Sequence, residues 1–300
     1  MATRVASENV MKKWLLRIIV VVSVLALMAA AYAYYQMRSR GFWRIPVYET
    51  KAPAMPELTR PALLVFSKTN SFIHKDAIPA AEAMFRSLGS DNGWSIFITE
   101  SGAVHNATDL GKFDAVVWNN VTGNVLTGGQ RKALAAYIEG GGGWLGIHGA
   151  GDKSAESDWP WYREKLIGAN FIGHPMDPHL QEGTTYIEVP NDPITSHLGD
   201  QWVRTDEWYS FDRSPRQAGM TILGNLDEST YRPVFFGDDI RMGSDHPIMW
   251  KTCVGAGRVF YTAMGHTAES YIEPKFVEVM HRAVDWAIST DGYNCSIDRP

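Results

Sequence analysis

Gly140-Gly-Gly-Gly-Trp-Leu-Gly-Ile-His-Gly-Ala-Gly151 decides how the rest of the chain is read. A hydrophobic segment, Trp144, Leu145 and Ile147, rises from a glycine run and stops at a small-x-small turn with His148 at its apex. Small residues on both sides allow a cramped strand-to-helix turn that pushes the central side chain into solvent at the carboxyl end of a sheet. This is the layout of a nucleophile elbow, yet the central residue of such elbows is Ser or Cys and here it is His. The scaffold of an acyl-transfer enzyme is therefore expected without its nucleophile. An isolated G-x-H-x-A also fits a buried strand followed by an ordinary glycine-rich turn.

Outward from this stretch, strands alternate with helical patterns. Leu63–Ser67, Trp94–Thr99, Ala115–Asn119 and Trp144–Ile147 read as strands. Between them, residues 76–88 place Ile78, Ala81, Met84, Phe85 and Leu88 on one helical face, and Thr127 caps a helix that ends at Gly140. Such alternation predicts an α/β fold with a doubly wound, mostly parallel sheet flanked by helices. The second half is richer in Pro, Asp, Trp and Gly, with Thr221–Gly224 and Arg258–Ala263 its clearest strands. A last helix opens on Pro274 and repeats Phe276, Val279, Met280, Ala283, Val284, Ala287 and Ile288 at i, i+3, i+4, which marks it as a packing element.

The N-terminus carries a different signal. Ile18–Tyr35 is uncharged and follows Arg4, Lys12, Lys13 and Arg17. About 18–20 apolar residues span a bilayer core, so residues 14–35 are expected to be a transmembrane signal anchor with residues 1–13 cytoplasmic. The competing reading is a cleaved signal peptide with Ala31-Tyr32-Ala33 as its small-x-small site. Residues 36–60 read as a linker, 61–290 as the globular domain and 291–300 as a tail. The globular part is then periplasmic or extracellular. Past residue 50 the chain holds 21 Lys/Arg against 31 Asp/Glu, a surplus that repels polyphosphate and argues against nucleic acid as a partner. Cys253 and Cys295 either pair in an oxidising compartment or stand as a small strand residue and a tail thiol. The oligomeric state is left open.

In an open α/β sheet the ligand site lies beyond the carboxyl ends of the strands. Lys68–Lys75 with His74, Asn119-Asn120, His148–Asp152 and Met264–Thr267 with His266 should all arrive there. Gly173-His174-Pro175 and Asp206-Glu207-Trp208-Tyr209 are further candidates from the irregular half. A carboxylate among aromatic rings is desolvated, which raises its pKa and suits acid/base work. His179, His197 and His246 sit beside prolines or turn residues and read as solvated loop histidines, as does His281 off the stripe of the last helix.

Val65-Phe66-Ser67-Lys68-Thr69 with Phe72 and His74, Phe113–Val117, Gly143–Gly149, Asp206–Tyr209, and Gly257–Tyr261 with Gly265-His266 run in order through residues 61–289. In these pieces the chain resembles the ThuA-like family, named for a trehalose-utilisation protein and related in fold to the class I glutamine amidotransferases. The resemblance implies a role with sugars, notably disaccharides processed through keto intermediates. It does not imply glutamine hydrolysis, because the amidotransferase cysteine is replaced by His148 and thiolate attack is impossible without it. A small-molecule carbohydrate is the expected partner. His148, His266 and Glu207 are the expected acid/base groups, with His74, Asn119, His174, Tyr209 and Trp208 binding the ligand. No cofactor is expected, except that His148, His266 and Glu207 could hold a divalent metal without any supporting H-x-x-x-H spacing. The alternative function is a sugar-binding module that does no chemistry.

Overall fold

The computed structural model describes residues 2–289 and Cys295. It comprises two units, Met1–Arg44 and Ile45–Pro300. The first is one helix, α1 (Ala2–Ser39), whose stretch Met11–Ser39 is long and apolar enough to cross a membrane, with a mean hydropathy of 2.4 over an 18-residue window. The helix overruns the expected anchor, residues 14–35, at both ends. The stretch expected to be a linker is likewise divided: its first residues continue α1, and residues 45–60 belong to the globular unit. That second part is strapped down by polar contacts. Val47 exchanges hydrogen bonds with the Asn70 side chain, and the Glu49 carboxylate pairs with buried Lys68 and accepts from Gly102 N at 2.9 Å.

The parallel half follows the sequence pattern closely. Strands β1 (Ala62–Phe66), β2 (Ser95–Thr99), β3 (Ala115–Asn119) and β4 (Gly143–Ile147) alternate with helices α2 (Ala77–Asn92), α3 (Ala107–Leu110) and α4 (Gly128–Glu139). Strands β1, β3 and β4 are buried at every position, which is why they read as unbroken apolar runs. Thr127 and Gln130 form a reciprocal capping box at the start of α4, which ends at Gly140.

Further strands follow: β5 (Phe171–Gly173), β6 (Gln181–Ile187), β7 (Gln201–Asp206), β8 (Ser210–Phe211), β9 (Thr221–Asp227), β10 (Val234–Phe235), β11 (Asp238–Asp239), β12 (Pro247–Val254) and β13 (Gly257–Thr262). The main sheet has nine strands in the order β2-β1-β3-β4-β13-β12-β9-β6-β7. Strands β12 and β6 run against the others, so the sheet is mixed but mostly parallel in direction. β4 sits in the interior, parallel to β3 on one side and β13 on the other, with Ile147 level with Asn119 and Thr262. The carboxyl ends of the central strands therefore finish on one line. Helix α5 (Pro274–Ile288) buries Phe276, Val279, Met280, Ala283 and Val284 on one side.

From β13 to β7 the sheet crosses four strand spacings, about 19 Å if it were flat. Yet Asp206 at the end of β7 accepts a hydrogen bond from Gly265 N, just past β13, at 2.8 Å. The antiparallel wing must curl back over the strand ends for this to hold. Trp202 and Arg204 of β7 complete the closure on the start of α5: the Trp202 indole donates to Glu273 at 2.7 Å, and the Arg204 guanidinium lies 4.7 Å from the Phe276 ring. Cys253 on β12 is disulfide-bonded to Cys295, the first of the two alternatives for these cysteines.

Candidate active site

His148 opens a short 3-10 turn at the end of β4 and has φ +44°, a left-handed backbone that a residue with a Cβ rarely adopts. The turn is pinned from β13. The Tyr261 hydroxyl donates to the His148 carbonyl at 2.9 Å, and His148 Nδ1 donates to the Ala263 carbonyl at 2.6 Å. A Cβ on Gly149 would stand 3.0 Å from the His74 ring and 3.2 Å from the Asn120 backbone, so any side chain there would press on the neighbouring loops. The strained elbow is thus present. Its apex is not in solvent, however: His148 is completely buried. The Tyr209 ring covers it at 4.2 Å between centroids, and the His74 and His266 rings stand edge-on at 4.8 and 5.0 Å. The exposure expected from the turn alone is cancelled by the wing that folds over it.

Glu207 arrives from the far edge of the sheet because Asp206 ties two loops together. Asp206 is fully buried and accepts from the backbone N–H groups of Glu207, Gly265 and His266 at 2.9, 2.8 and 3.1 Å. Arg204 balances its charge at 3.0 Å. With both loops fixed, the Glu207 carboxylate touches three imidazoles. Oε2 lies 3.3 Å from His148 Nε2 and 3.1 Å from His266 Nδ1, and Oε1 lies 3.3 Å from His174 Nδ1. His148 Nε2 and His266 Nδ1 are themselves 3.0 Å apart. His266 and His174 are partly exposed and form the open side of the cluster.

Electrostatics follow from this packing. Burial pushes the Glu207 pKa up, but hydrogen bonds from His148 and His266 outweigh it and hold the carboxyl well below its usual range. That reverses the expectation of a raised carboxylate. For His266 burial works toward the neutral ring, but Glu207 prevails and raises the pKa. Burial, together with the neighbouring imidazoles, drives His74 well below the usual histidine value. Burial also lowers His174, against the pull of Glu207.

The structure thus brings together His74, His148, Glu207, His266 and His174, with Tyr209 as their wall. Asn119 and Trp208 spend their polar groups elsewhere. The Asn119 amide is spent on Ser67 Oγ, the Ile78 carbonyl and the Asn120 amide inside the strand ends. Trp208 points away from Glu207 and Tyr209, as side chains alternate in extended backbone, and its indole donates to the Gln181 carbonyl beneath. His246 is also not a solvated loop histidine. It is fully buried, meets Glu228 at 2.7 Å through Nδ1 and donates to the Tyr209 carbonyl at 2.8 Å through Nε2. Of the remaining histidines, His179 is exposed with its ring 6.0 Å from His266, His197 is half-buried with Nε2 3.2 Å from the Lys275 carbonyl, and His281 on α5 is half-buried between Glu278 and Asp285. Asp206 lies in a candidate stretch, but its role, like that of His246, is not legible in the sequence, because each acts on backbone far away in the chain and no local pattern announces that.

Fold and site together define an α/β protein with a histidine–carboxylate cluster at the carboxyl ends of its parallel strands. The trehalose utilisation family, ThuA, matches residues 62–287, so the chain belongs to that family. A ThuA-like protein from Bacteroides uniformis is similar in structure, with a TM-score of 0.67 and 26% identity over 82% of this chain and 99% of the other. A second, from Parabacteroides merdae, has a TM-score of 0.57 and 17% identity over 77% of this chain and 91% of the other. No curated protein matches the chain significantly.

Proposed function

We propose that this chain is a membrane-anchored enzyme of carbohydrate metabolism that acts on a disaccharide or keto-sugar by acid/base chemistry. One observation carries the reading: a single buried carboxylate, Glu207, in reach of three imidazoles at 3.1–3.3 Å. A structural ion pair needs one partner. Three convergent imidazoles of differing proton affinity suit a site that moves protons.

In a keto-sugar the C–H beside the carbonyl is acidic, and a glycosidic oxygen one carbon further on is a leaving group. Removing that proton forms an enolate, whose electron pair returns to expel the glycosidic oxygen; a second group then protonates the departing oxygen. His174 suits the base: Nδ1 faces the Pro175 carbonyl at 2.9 Å and Glu207, leaving Nε2 as its basic nitrogen, and burial favours the neutral ring. His266, whose affinity for a proton Glu207 raises, suits the acid. Glutamine amidotransfer is excluded chemically, since His148 stands where a thiolate is needed and the two cysteines are bonded to each other elsewhere.

The apolar helix supports attachment to a membrane, and the Cys253–Cys295 disulfide supports an oxidising compartment such as the periplasm or the cell exterior. The test is to incubate the full chain in detergent with disaccharides and their 3-keto forms and follow the mixture by mass spectrometry. Turnover of a keto form is expected, with a loss of about 10²–10⁴-fold in His174→Gln, the range of a removed acid/base group. Saturable binding with no change in mass would instead establish the sugar-binding module.

A further inference from the structure

Among the described residues, His74 Nδ1 is a buried ring nitrogen with no hydrogen-bond partner, and it belongs to a histidine packed edge-on against both His148 and His266. We propose that His74, His148, His266 and Glu207 form the binding site for one divalent transition-metal ion, with zinc the preferred occupant. Resting on the same site as the proposed function, the ion would take the place of the protonated His266 there and, by accepting a fifth ligand, would supply the reaction with a Lewis acid for a sugar oxygen.

The donors come from four separate segments, after β1, β4, β7 and β13, and one ligand atom from each lies within 4.8 Å of all the others. Three of them are tighter. His148 Nε2, His266 Nδ1 and Glu207 Oε2 form a triangle with edges of 3.0, 3.1 and 3.3 Å. A tetrahedral ion with bonds of about 2.0–2.1 Å has donor–donor edges of about 3.3–3.4 Å, so this triangle is close to one face of such a site. His74 offers a fourth donor, with its ligand atom within 4.8 Å of the other three.

The Ala263 carbonyl takes the Nδ1 proton of His148, so Nε2 is the ring nitrogen that faces His266 Nδ1 and Glu207 Oε2. A carboxylate oxygen offers only lone pairs. An ion above the triangle serves all three donors at once.

The surroundings are those of a metal site too. Ligating histidines are oriented by a carbonyl or carboxylate on the other ring nitrogen, as Ala263 does for His148. Asp206 fixes the backbones of both Glu207 and His266, and His174 holds Glu207 Oε1, which leaves Oε2 to bind alone. Three imidazoles and one carboxylate favour a borderline ion over calcium or magnesium, and a four-donor set favours zinc.

The full chain in detergent, stripped by a chelator and titrated with Zn²⁺, should take up one equivalent, read by elemental analysis after gel filtration. Co²⁺ in its place should give the intense visible bands of a four-coordinate centre. His74→Ala and His266→Ala should each weaken Zn²⁺ binding at least 100-fold, while His281→Ala on α5 should not. His266→Asp keeps a donor atom and should retain uptake with an altered cobalt spectrum, which separates ligation from a folding defect. No uptake by the stripped chain, uptake unchanged in both alanine variants, or an unchanged cobalt spectrum in His266→Asp overturns the site. Turnover of keto-sugar by metal-free chain removes the Lewis-acid role while the proposed enzyme stands. One bound equivalent in a chain that turns over no sugar overturns the proposed enzyme while the metal site stands.

Discussion

The two halves of the sheet solve the same problem in opposite ways. In the parallel half, β1, β3 and β4 are buried throughout and stabilised by apolar area, with local helices packed against them. In the antiparallel wing, β7 alternates exposed and buried positions, and its buried face is Trp202, Arg204 and Asp206. Charge-assisted hydrogen bonds there do what apolar contact does in the other half. The parallel half builds a rigid platform of strand ends carrying His74, His148 and His266. The wing brings the carboxylate that organises them. Polar closure is costly when broken and directional when intact, which suits a seam that must place Glu207 within hydrogen-bond reach of residues on other strands.

The largest expected effect tests that seam. Asp206→Ala leaves buried Arg204 with Glu273 as its remaining ionic partner and three backbone N–H groups without an acceptor. Breaking a buried pair on one side costs about 3–5 kcal/mol, so denaturant unfolding should show a loss in that range together with loss of activity. A loss below about 1 kcal/mol would mean that the wing is held elsewhere.

A pH experiment isolates the parallel half. His105 is buried between Phe66 and Trp118, and burial lowers its pKa from 6.5 to about 3. The unfolded chain takes up this proton near pH 6.5 and the folded chain only near pH 3, so the unfolded state binds more protons in between. Stability therefore falls as pH falls through that window, by about 2 kcal/mol from this residue between pH 6.5 and 4.5. His105→Gln should flatten this part of the stability–pH curve, measured by denaturant titration at each pH. An unchanged slope would place the acid sensitivity in other groups.

His246 sharpens the comparison from the wing side. It joins Glu228 to the Tyr209 carbonyl, and the Tyr209 ring covers His148. His246→Gln should cost about 1–2 kcal/mol of stability, the scale of one or two buried hydrogen bonds, and lower kcat about tenfold with little change in KM. Equal loss from an unrelated core substitution of the same destabilisation would reduce His246 to a packing residue.

The smallest effect should come from the platform's own local structure. Thr127→Ala removes one half of the α4 capping box and should cost about 1 kcal/mol without touching kcat, as read by thermal unfolding and turnover on the same sample. A fall in activity larger than the fall in stability would show that the two halves are coupled through α4.

The resemblance between sequence and structure is uneven for a physical reason. A strand buried on both faces must be apolar at every position, so β1, β3 and β4 could be read directly, and so could the amphipathic stripe of α5. The curled wing could not. With Arg204 and Asp206 on its buried face, β7 shows no apolar alternation, and its partners across the curl are remote in sequence. Trp208 misled for a related reason: an aromatic beside a site residue lies on the opposite side of extended backbone.

By itself the sequence determined the α/β class, the family, the apolar N-terminal helix and the elbow that offers His148, because each rests on local pattern: unbroken apolar runs, caps, small residues around a turn. Tertiary structure alone decided that His148 is buried rather than exposed, that Glu207 is held ionised rather than raised, and that Asn119 and Trp208 stand apart from the cluster. Those outcomes depend on where β7 lands after crossing the sheet. That position is set by Asp206 finding two backbone N–H groups 59 and 60 residues away, a pairing that exists only once the chain has folded.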